Sequence, residues 1–138
     1  MFGVCLLHPE LSQEHELDQW IYLCHSYGVD KIFVVGNSFN RKGVTSISHA
    51  SDLLEDNELV IVQPKEAREI KGHVSLYNYT HPKDVVYVFG PSDGVLRGAH
   101  IHGLDEHNSL YIEMPEGGEL HAPLAGSIVL YDRWSKLG

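Results

Sequence analysis

Two apolar segments in the second half of the chain each end in a glycine-rich turn. Residues 84–89 stop at Gly90-Pro91 and turn again at Asp93-Gly94, while residues 110–114 lead into Gly117-Gly118. Glycine lets a backbone approach a ligand closely, and the N–H and C=O groups of such turns can pair with a flat polar ring or with hydroxyls. In parallel sheets, ligands bind outside the carboxyl ends of the strands. The pattern therefore predicts a ligand site formed by loops of an α/β protein.

Three histidines between these two segments form a second candidate for chemistry. His100 and His102 lie on one face if that segment is extended, and His107, beside Asp105 and Glu106, can fold back toward them. No cysteine joins them, and neither CxxC nor HExxH spacing is present. A solvated loop is therefore favoured over a zinc site, and we predict no metal.

The size and composition of the chain set the class of protein. Its 138 residues predict one domain covering 1–138, and 43% hydrophobic with 21% charged residues is ordinary for a globular protein. No apolar run approaches the ~20 residues of a membrane span, and no signal peptide is evident. Cys5 and Cys24 fall on apolar faces, which predicts reduced core thiols in a cytoplasmic protein. The net charge of −9 opposes tight binding to free nucleic acid unless the charges are segregated.

Near-continuous apolar runs predict the strands. Such runs are typical of a parallel sheet that is buried on both faces. The predicted strands are Phe2–Leu7, Lys31–Val35, Leu59–Val62, Val85–Phe89 and residues 110–113.

Helical spacing predicts a first helix between Ser12 as the N-cap and Gly28 as the C′ residue, which gives a βαβ unit with the second strand. Shorter helices are predicted at 48–54 and 64–70, and residues 77–81 remain an irregular approach to the fourth strand. A final helix at 124–134 is apolar almost all round. A helix of that kind is buried or shared with a partner subunit, so we also predict a homodimer through this helix.

The stretches Tyr87-Val88-Phe89-Gly90-Pro91-Ser92-Asp93-Gly94 and Ile128-Val129-Leu130-Tyr131-Asp132-Arg133 resemble motifs of the SpoU (TrmH-like) class of the SPOUT superfamily. So do the first eight residues after Met1, the turn at residues 27–31, and Thr80-His81-Pro82. The resemblance covers essentially the whole chain and is most specific in its final third. These proteins are dimeric methyltransferases that use S-adenosylmethionine, most of them on ribose 2′-hydroxyls of tRNA or rRNA.

The resemblance implies a parallel sheet with helices on both faces and a C-terminal trefoil knot. It also implies a cofactor pocket made by three knot loops, here residues 62–64, 90–94 and 112–124. The cofactor-binding residues implied are Val62, Gln63, Val88, Phe89, Gly90, Pro91, Gly94, Ile112, Met114, Leu120 and Leu124.

The polar side chains of the family motifs are replaced in this chain. The family's Asn and Arg of the first helix fall at Glu16 and Tyr22, and the Glu after the loop glycine falls at Ser92. The Asn that opens the last helix falls at His121, with Glu119 at the usual Ser or Cys. The features that shape a cofactor pocket are therefore kept, while those tied to RNA methyl transfer are not.

Methyl transfer to a hydroxyl needs an aligned acceptor and a route for its proton. His121 can serve as a base because its ordinary pKa lies near neutrality, or it can simply fill space at the helix end. Tyr22 can accept a hydrogen bond or pack a helix, and Ser92 can act in catalysis or stabilise its turn. These three are the candidate catalytic residues.

Three functions follow from these patterns. The first is an S-adenosylmethionine-dependent methyltransferase acting on tRNA or rRNA. The second is a divergent SPOUT protein that binds the cofactor, or nothing, without methyl transfer. The third is a methyltransferase for a protein or small molecule, which suits the acidic surface better.

Overall fold

The computed structural model describes residues 1–7, 14–36, 38–63, 73–90, 104, 109–116 and 120–138. Within these ranges the chain forms seven strands and two α-helices. The strands are β1 (Phe2–Leu7), β2 (Lys31–Val35), β3 (Val44–Ile47), β4 (Leu59–Val62), β5 (His73–Ser75), β6 (Val85–Phe89) and β7 (Ser109–Tyr111). The helices are α1 (Glu14–Ser26) and α2 (Ala122–Leu137), and 3₁₀ helices cover Ala50–Leu53 and Leu76–Asn78.

The strands form one parallel sheet in the order β3-β2-β1-β6-β4-β7-β5. The first four predicted strands are confirmed with their bounds, and the fifth begins and ends earlier than predicted. The sequence patterns missed β3 and β5, which occupy the two edges of the sheet. Edge strands pair on one side only and need fewer apolar residues; in β3, Thr45 and Ser46 are both exposed.

The hydrophobic core lies on both faces of this sheet. One face carries both α-helices, which pack over alternate residues of the central strands, among them Val4, Val62 and Phe89. The other face, which includes Cys5 and Val88, is covered within the described residues by Leu104 and the 3₁₀ helix Ala50–Leu53. Burial of the central strands on both sides explains why their sequences are continuously apolar.

Helix α1 ends as its sequence predicts. Gly28 adopts φ +72°, a left-handed conformation that costs glycine little, and its N–H bonds the carbonyl of His25. The predicted N-cap, Ser12, lies outside the described residues.

The other helix predictions need correction. The short helix expected at 48–54 is a 3₁₀ turn over four residues, and α2 is longer at both ends than 124–134. The helix expected at 64–70 lies outside the described residues.

One face of α2 is exposed rather than buried. The exposed apolar residues on it are Leu124, Ile128, Tyr131, Trp134 and Leu137. Contiguous exposed apolar surface is typical of interaction sites.

A buried polar network fastens the end of α2 to the start of β6. His81 lies between Tyr87 Oη, 2.6 Å from its Nδ1, and Asp132 Oδ2, 2.7 Å from its Nε2. Arg133 donates to the carbonyls of Pro82 (2.6 Å) and Lys83 (2.9 Å). The Arg133 side chain is buried in this network.

Candidate functional site

The three strands that precede the predicted pocket loops end side by side. In the sheet, Val62 of β4 pairs with Phe89 of β6 on one side and with Leu110 of β7 on the other. The N–H of Gln63 continues the ladder by donating to the carbonyl of Leu110 at 3.1 Å. The carboxyl ends of β4, β6 and β7 therefore meet at one edge, where parallel sheets bind ligands.

Gln63 places a buried amide at this edge. Gln63 is only 5% exposed, and its side-chain Nε2 donates a hydrogen bond to Ser109 Oγ at 3.2 Å. Ser109 Oγ in turn lies 2.5 Å from Nδ1 of His73. With the amide nitrogen directed at Ser109, Oε1 has no hydrogen-bond partner among the described residues. A buried acceptor of this kind calls for a donor from elsewhere.

The apolar residues implied for cofactor binding divide between the two faces of the sheet. Val62 and Phe89 belong to the face that carries the helices, and the half-buried Ile112 and Leu120 pack against the same cluster. Val88 points to the opposite face, because side chains alternate along a strand. The structure thus places four of the implied cofactor-binding residues in one core cluster and Val88 in the other.

The remaining predicted cofactor residues have varied positions. Gly90 is half-buried directly after β6, and Met114 is half-buried three residues beyond the end of β7. Leu124 is 55% exposed on α2, where it lines a groove of about 450 Å³ between α1 and α2. Pro91 and Gly94 lie outside the described residues.

The three candidate catalytic residues do not all appear in the described parts of the chain. Ser92 lies outside them. Tyr22 is 78% exposed on α1 and lines the α1–α2 groove together with Pro123, Leu124 and Ser127. His121 occupies the N-cap position of α2, where its side chain is 42% exposed.

Sequence reasoning missed a functional candidate beside His121. Glu16 of α1 is 4% exposed, and its Oε1 lies 3.2 Å from Nε2 of His121. The two atoms are at ion-pair distance, although the pair is outside hydrogen-bond geometry. One signal was available: Glu16 stands four residues before Trp20, so it lies along the core-facing stripe of α1, where a carboxylate is unusual.

One cation stands near the groove. Arg41, from the loop between β2 and β3, forms an ion pair with Asp18, which also lines the α1–α2 groove. The Arg41 side chain is partly exposed.

The described residues contain no group of three or more His, Cys, Asp or Glu side chains that could hold a metal ion. His100, His102 and His107 lie outside them. Among the described helices, none has the length and apolar character needed to cross a bilayer.

No protein-family model matches the sequence, and no curated protein does so either. Solved structures do match the fold. A probable methylase family protein from Haemophilus influenzae Rd KW20 superposes with a TM-score of 0.73 at 15% identity, over 98% of this chain and 65% of that one.

Two further structures extend this likeness. A protein whose structure concerns 2-OH methylation of C/U34 on tRNA matches with a TM-score of 0.73 at 16% identity, over 99% of this chain and 91% of that one. The SpoU methyltransferase AviRb from Streptomyces viridochromogenes, solved with AdoMet, gives 0.75 at 11% identity, over 99% and 60%. The chain spans less than two thirds of the Haemophilus protein and of AviRb. It therefore has the parallel α/β fold of the SpoU (TrmH-like) methyltransferases, the class that its sequence motifs resemble.

Proposed function

We propose that this protein is an S-adenosylmethionine-dependent methyltransferase that acts on a hydroxyl of RNA, with a ribose 2′-hydroxyl of tRNA or rRNA as the acceptor. The observation that carries the proposal is the meeting of the ends of β4, β6 and β7 around the buried amide of Gln63. The fold match supports the class of reaction. We further propose that residues 62–64, 90–94 and 112–124 shape the pocket within a C-terminal trefoil knot.

The residues at this edge fit the cofactor chemically. The adenine of S-adenosylmethionine has an exocyclic amine, and the methionine part has an ammonium group; both are hydrogen-bond donors. Gln63 Oε1 is a buried acceptor without a partner among the described residues, so it can receive one of these donors. Val62, Phe89, Ile112 and Leu120 supply the apolar surface that a flat ring needs. Gly90, Pro91, Gly94, Met114 and Leu124 complete the proposed set.

When bound, S-adenosylmethionine supplies an electrophilic methyl group on a positively charged sulfur. The protein's part is to hold the acceptor hydroxyl in line with that group, to exclude water and to accept the hydroxyl proton. His121 is the side chain proposed to take the proton, since it stands beside Leu120 at the entrance of α2. Tyr22 and Ser92 remain proposed contacts for the acceptor strand.

A homodimer through α2 completes the proposal. The exposed stripe of α2 and the exposed Tyr22 of α1 form one apolar surface, because Tyr22, Tyr131 and Trp134 line a common groove. A second copy that covers this surface would bring two candidate sites into one particle. It would also extend the surface available to RNA. We propose that the dimer acts in the cytoplasm.

One observation favours a second function, binding of the cofactor without transfer to RNA. The position at which the family has its first-helix Arg holds the uncharged Tyr22 here, and the net charge is −9. An acidic protein with few fixed cations is poorly equipped to hold phosphates. The same features suit a methyl acceptor that is a protein or a small molecule.

Titration calorimetry with S-adenosylmethionine tests the pocket. We expect saturable binding by the purified full chain, and roughly tenfold weaker binding by Gln63→Leu, because a buried hydrogen bond of about 1.4 kcal/mol is lost. Asn78→Leu is the matched control, since Asn78 is exposed on the 3₁₀ helix Leu76–Asn78 and is not among the proposed pocket residues. Absence of binding heat from the folded wild type contradicts the proposal.

Radiolabelled cofactor then separates the functions. Incubation with total RNA, followed by nucleoside analysis, is expected to give a 2′-O-methylated nucleoside. Label that remains unincorporated at high protein concentration, despite cofactor binding, indicates the binding function. Label in protein or small molecules indicates the third function.

A further inference from the structure

We propose that Ser109 is a positioning residue that sets which base the proposed pocket accepts. It holds the Gln63 amide by its nitrogen, so that Gln63 Oε1 accepts a hydrogen bond from the exocyclic amine of adenine. This inference rests on the proposed function and names the part of the cofactor that Gln63 recognises. It joins three strands, because Gln63 follows β4, Ser109 begins β7 and the neighbouring His73 begins β5.

The register of the sheet brings these side chains together. Ser109 pairs with Ile61 of β4 on one side and with His73 of β5 on the other. Paired residues of neighbouring strands share a face of the sheet, and side chains alternate along each strand. Gln63 stands two residues after Ile61, and its N–H continues the ladder to Leu110, so its side chain lies on the face of Ser109. Ser109 itself is fully buried.

The hydroxyl of Ser109 has two neighbours, and together they set its direction. Gln63 Nε2 donates to Oγ at 3.2 Å, and Nδ1 of His73 lies 2.5 Å from the same oxygen. Because Nε2 supplies the hydrogen of its own bond, the hydroxyl hydrogen is left for Nδ1. Oγ then presents only lone pairs to Gln63, and an amide oxygen turned toward it would meet them with no hydrogen in between. The amide nitrogen is therefore the end that faces Ser109.

This orientation turns Gln63 Oε1 into a buried acceptor at the end of β4. The atom has no hydrogen-bond partner among the described residues. On the same face, the neighbouring Ile61 and Val88 are apolar and fully buried, and they pair with each other across β4 and β6. An acceptor that is buried in such surroundings without a donor is costly to keep. The position therefore calls for a donor from a ligand.

Of the two donors that the cofactor offers, the adenine amine fits this acceptor better. The ammonium of the methionine part carries a full charge, and a charge is buried favourably only beside an opposite charge. Gln63 Oε1 is neutral and its neighbours Ile61 and Val88 are apolar. The adenine amine is a neutral donor on a flat ring, so it matches these surroundings. Hypoxanthine has a carbonyl in the same place, which would set two acceptors against each other.

Titration calorimetry with two compounds tests the inference on the full chain. One is S-adenosylhomocysteine, which is the cofactor without its methyl group, and the other is S-inosylhomocysteine, in which a carbonyl replaces the adenine amine. We expect the wild type to bind the adenosyl compound at least about tenfold more tightly, because the carbonyl leaves Oε1 unpaired. Equal affinities for the two compounds overturn the inference and leave the methyltransferase standing. A wild type that binds neither overturns both proposals.

Ser109→Ala then tests the positioning role. Without the hydroxyl, the Gln63 amide can turn its nitrogen toward the inosyl carbonyl, so the preference should fall to within about threefold. A merely structural role would weaken both compounds alike, and an undiminished preference contradicts the inference. Ser75→Ala is the matched control: Ser75 is also buried, its Oγ accepts from the N–H of Tyr77, and the variant should keep the wild-type preference.

A second measurement needs neither a ligand nor a variant. The buried bond to Ser109 should protect one side-chain amide hydrogen of Gln63 from exchange with deuterated water, as followed by NMR of the wild type. Exchange at least about tenfold slower than at Gln19, which is exposed on α1, is expected. Equal exchange at the two side chains would show that Ser109 does not hold the amide, and it would overturn the inference.

Discussion

Gly126 of α2 lies directly against the indole ring of Trp20 on α1. A Cβ atom at position 126 would overlap Cη2 and Cζ3 of that ring, so the two helices approach each other at a point where only glycine fits. Trp20 also touches the ring of Phe89, with 4.8 Å between ring centroids. The two residues therefore set the distance of both helices from the end of β6, and with it the distance between Glu16 and His121.

Gly126→Ala is expected to lower the free energy of unfolding by about 1–2 kcal/mol. Overpacking against a buried ring costs about 1–3 kcal/mol, and the better helix propensity of alanine returns at most about 1 kcal/mol. Urea denaturation measures the difference. Ser135→Ala on the exposed side of α2 is the control and should stay within about 0.5 kcal/mol. In a Trp20→Leu background the cost should largely disappear; an equal cost in both backgrounds contradicts the proposed contact.

Trp134→Glu is expected to shift the proposed dimer toward monomer. Trp134 is an exposed aromatic residue on α2, in ring contact with Tyr131, and a charge there would be buried by a second copy. We expect the dimer dissociation constant to rise at least about tenfold, measured by sedimentation equilibrium over a concentration series. Ser46→Glu is the control: it adds the same charge to the edge strand β3 and should leave the dimer dissociation constant unchanged. A wild type that sediments as a monomer at every concentration refutes the dimer.

His81 is expected to make stability fall as the pH falls below about 7. Burial lowers the pKa of His81; Asp132 opposes this shift, while Lys136 and Arg133 reinforce it. With the folded pKa below the ordinary value near 6.5, the unfolded chain binds the proton first, so acidification favours unfolding. Urea midpoints between pH 7.5 and 5.5 should show a smaller decline for His81→Gln than for the wild type. The slope from this one group cannot exceed about 1.4 kcal/mol per pH unit.

The control for that measurement is His25→Gln, because His25 is exposed at the end of α1. It should reproduce the wild-type decline. Equal slopes for the wild type and His81→Gln would show that the buried network does not exclude the proton.

Cys5 and Cys24 are expected to resist thiol reagents in the folded protein. Burial raises the pKa of each thiol to about 12, so almost no thiolate exists at pH 8, and both side chains are inaccessible. Ellman's reagent should give no colour within minutes until denaturant is added, and then two thiols per chain. Rapid reaction without denaturant would show that the core on one face of the sheet becomes readily accessible to the reagent.

The central strands and the turn at Gly28 could be predicted from the sequence, because a strand buried on both faces must be apolar throughout and a left-handed turn favours glycine. The loop after β4 and its Gln63 were singled out by the resemblance to the SpoU (TrmH-like) class and not by these patterns. The edge strands β3 and β5 escaped prediction, since a short strand with one partner carries little apolar signal.

What the sequence alone determined was local: which segments are buried and which turns need glycine, because these depend on neighbouring residues. The tertiary structure decided which distant residues meet. The contact of Glu16 with His121, the fit of Gly126 under Trp20, and the enclosure of Arg133 near His81 each join segments that are distant along the chain. Such pairs depend on helix packing and strand order, which no periodicity in the sequence records.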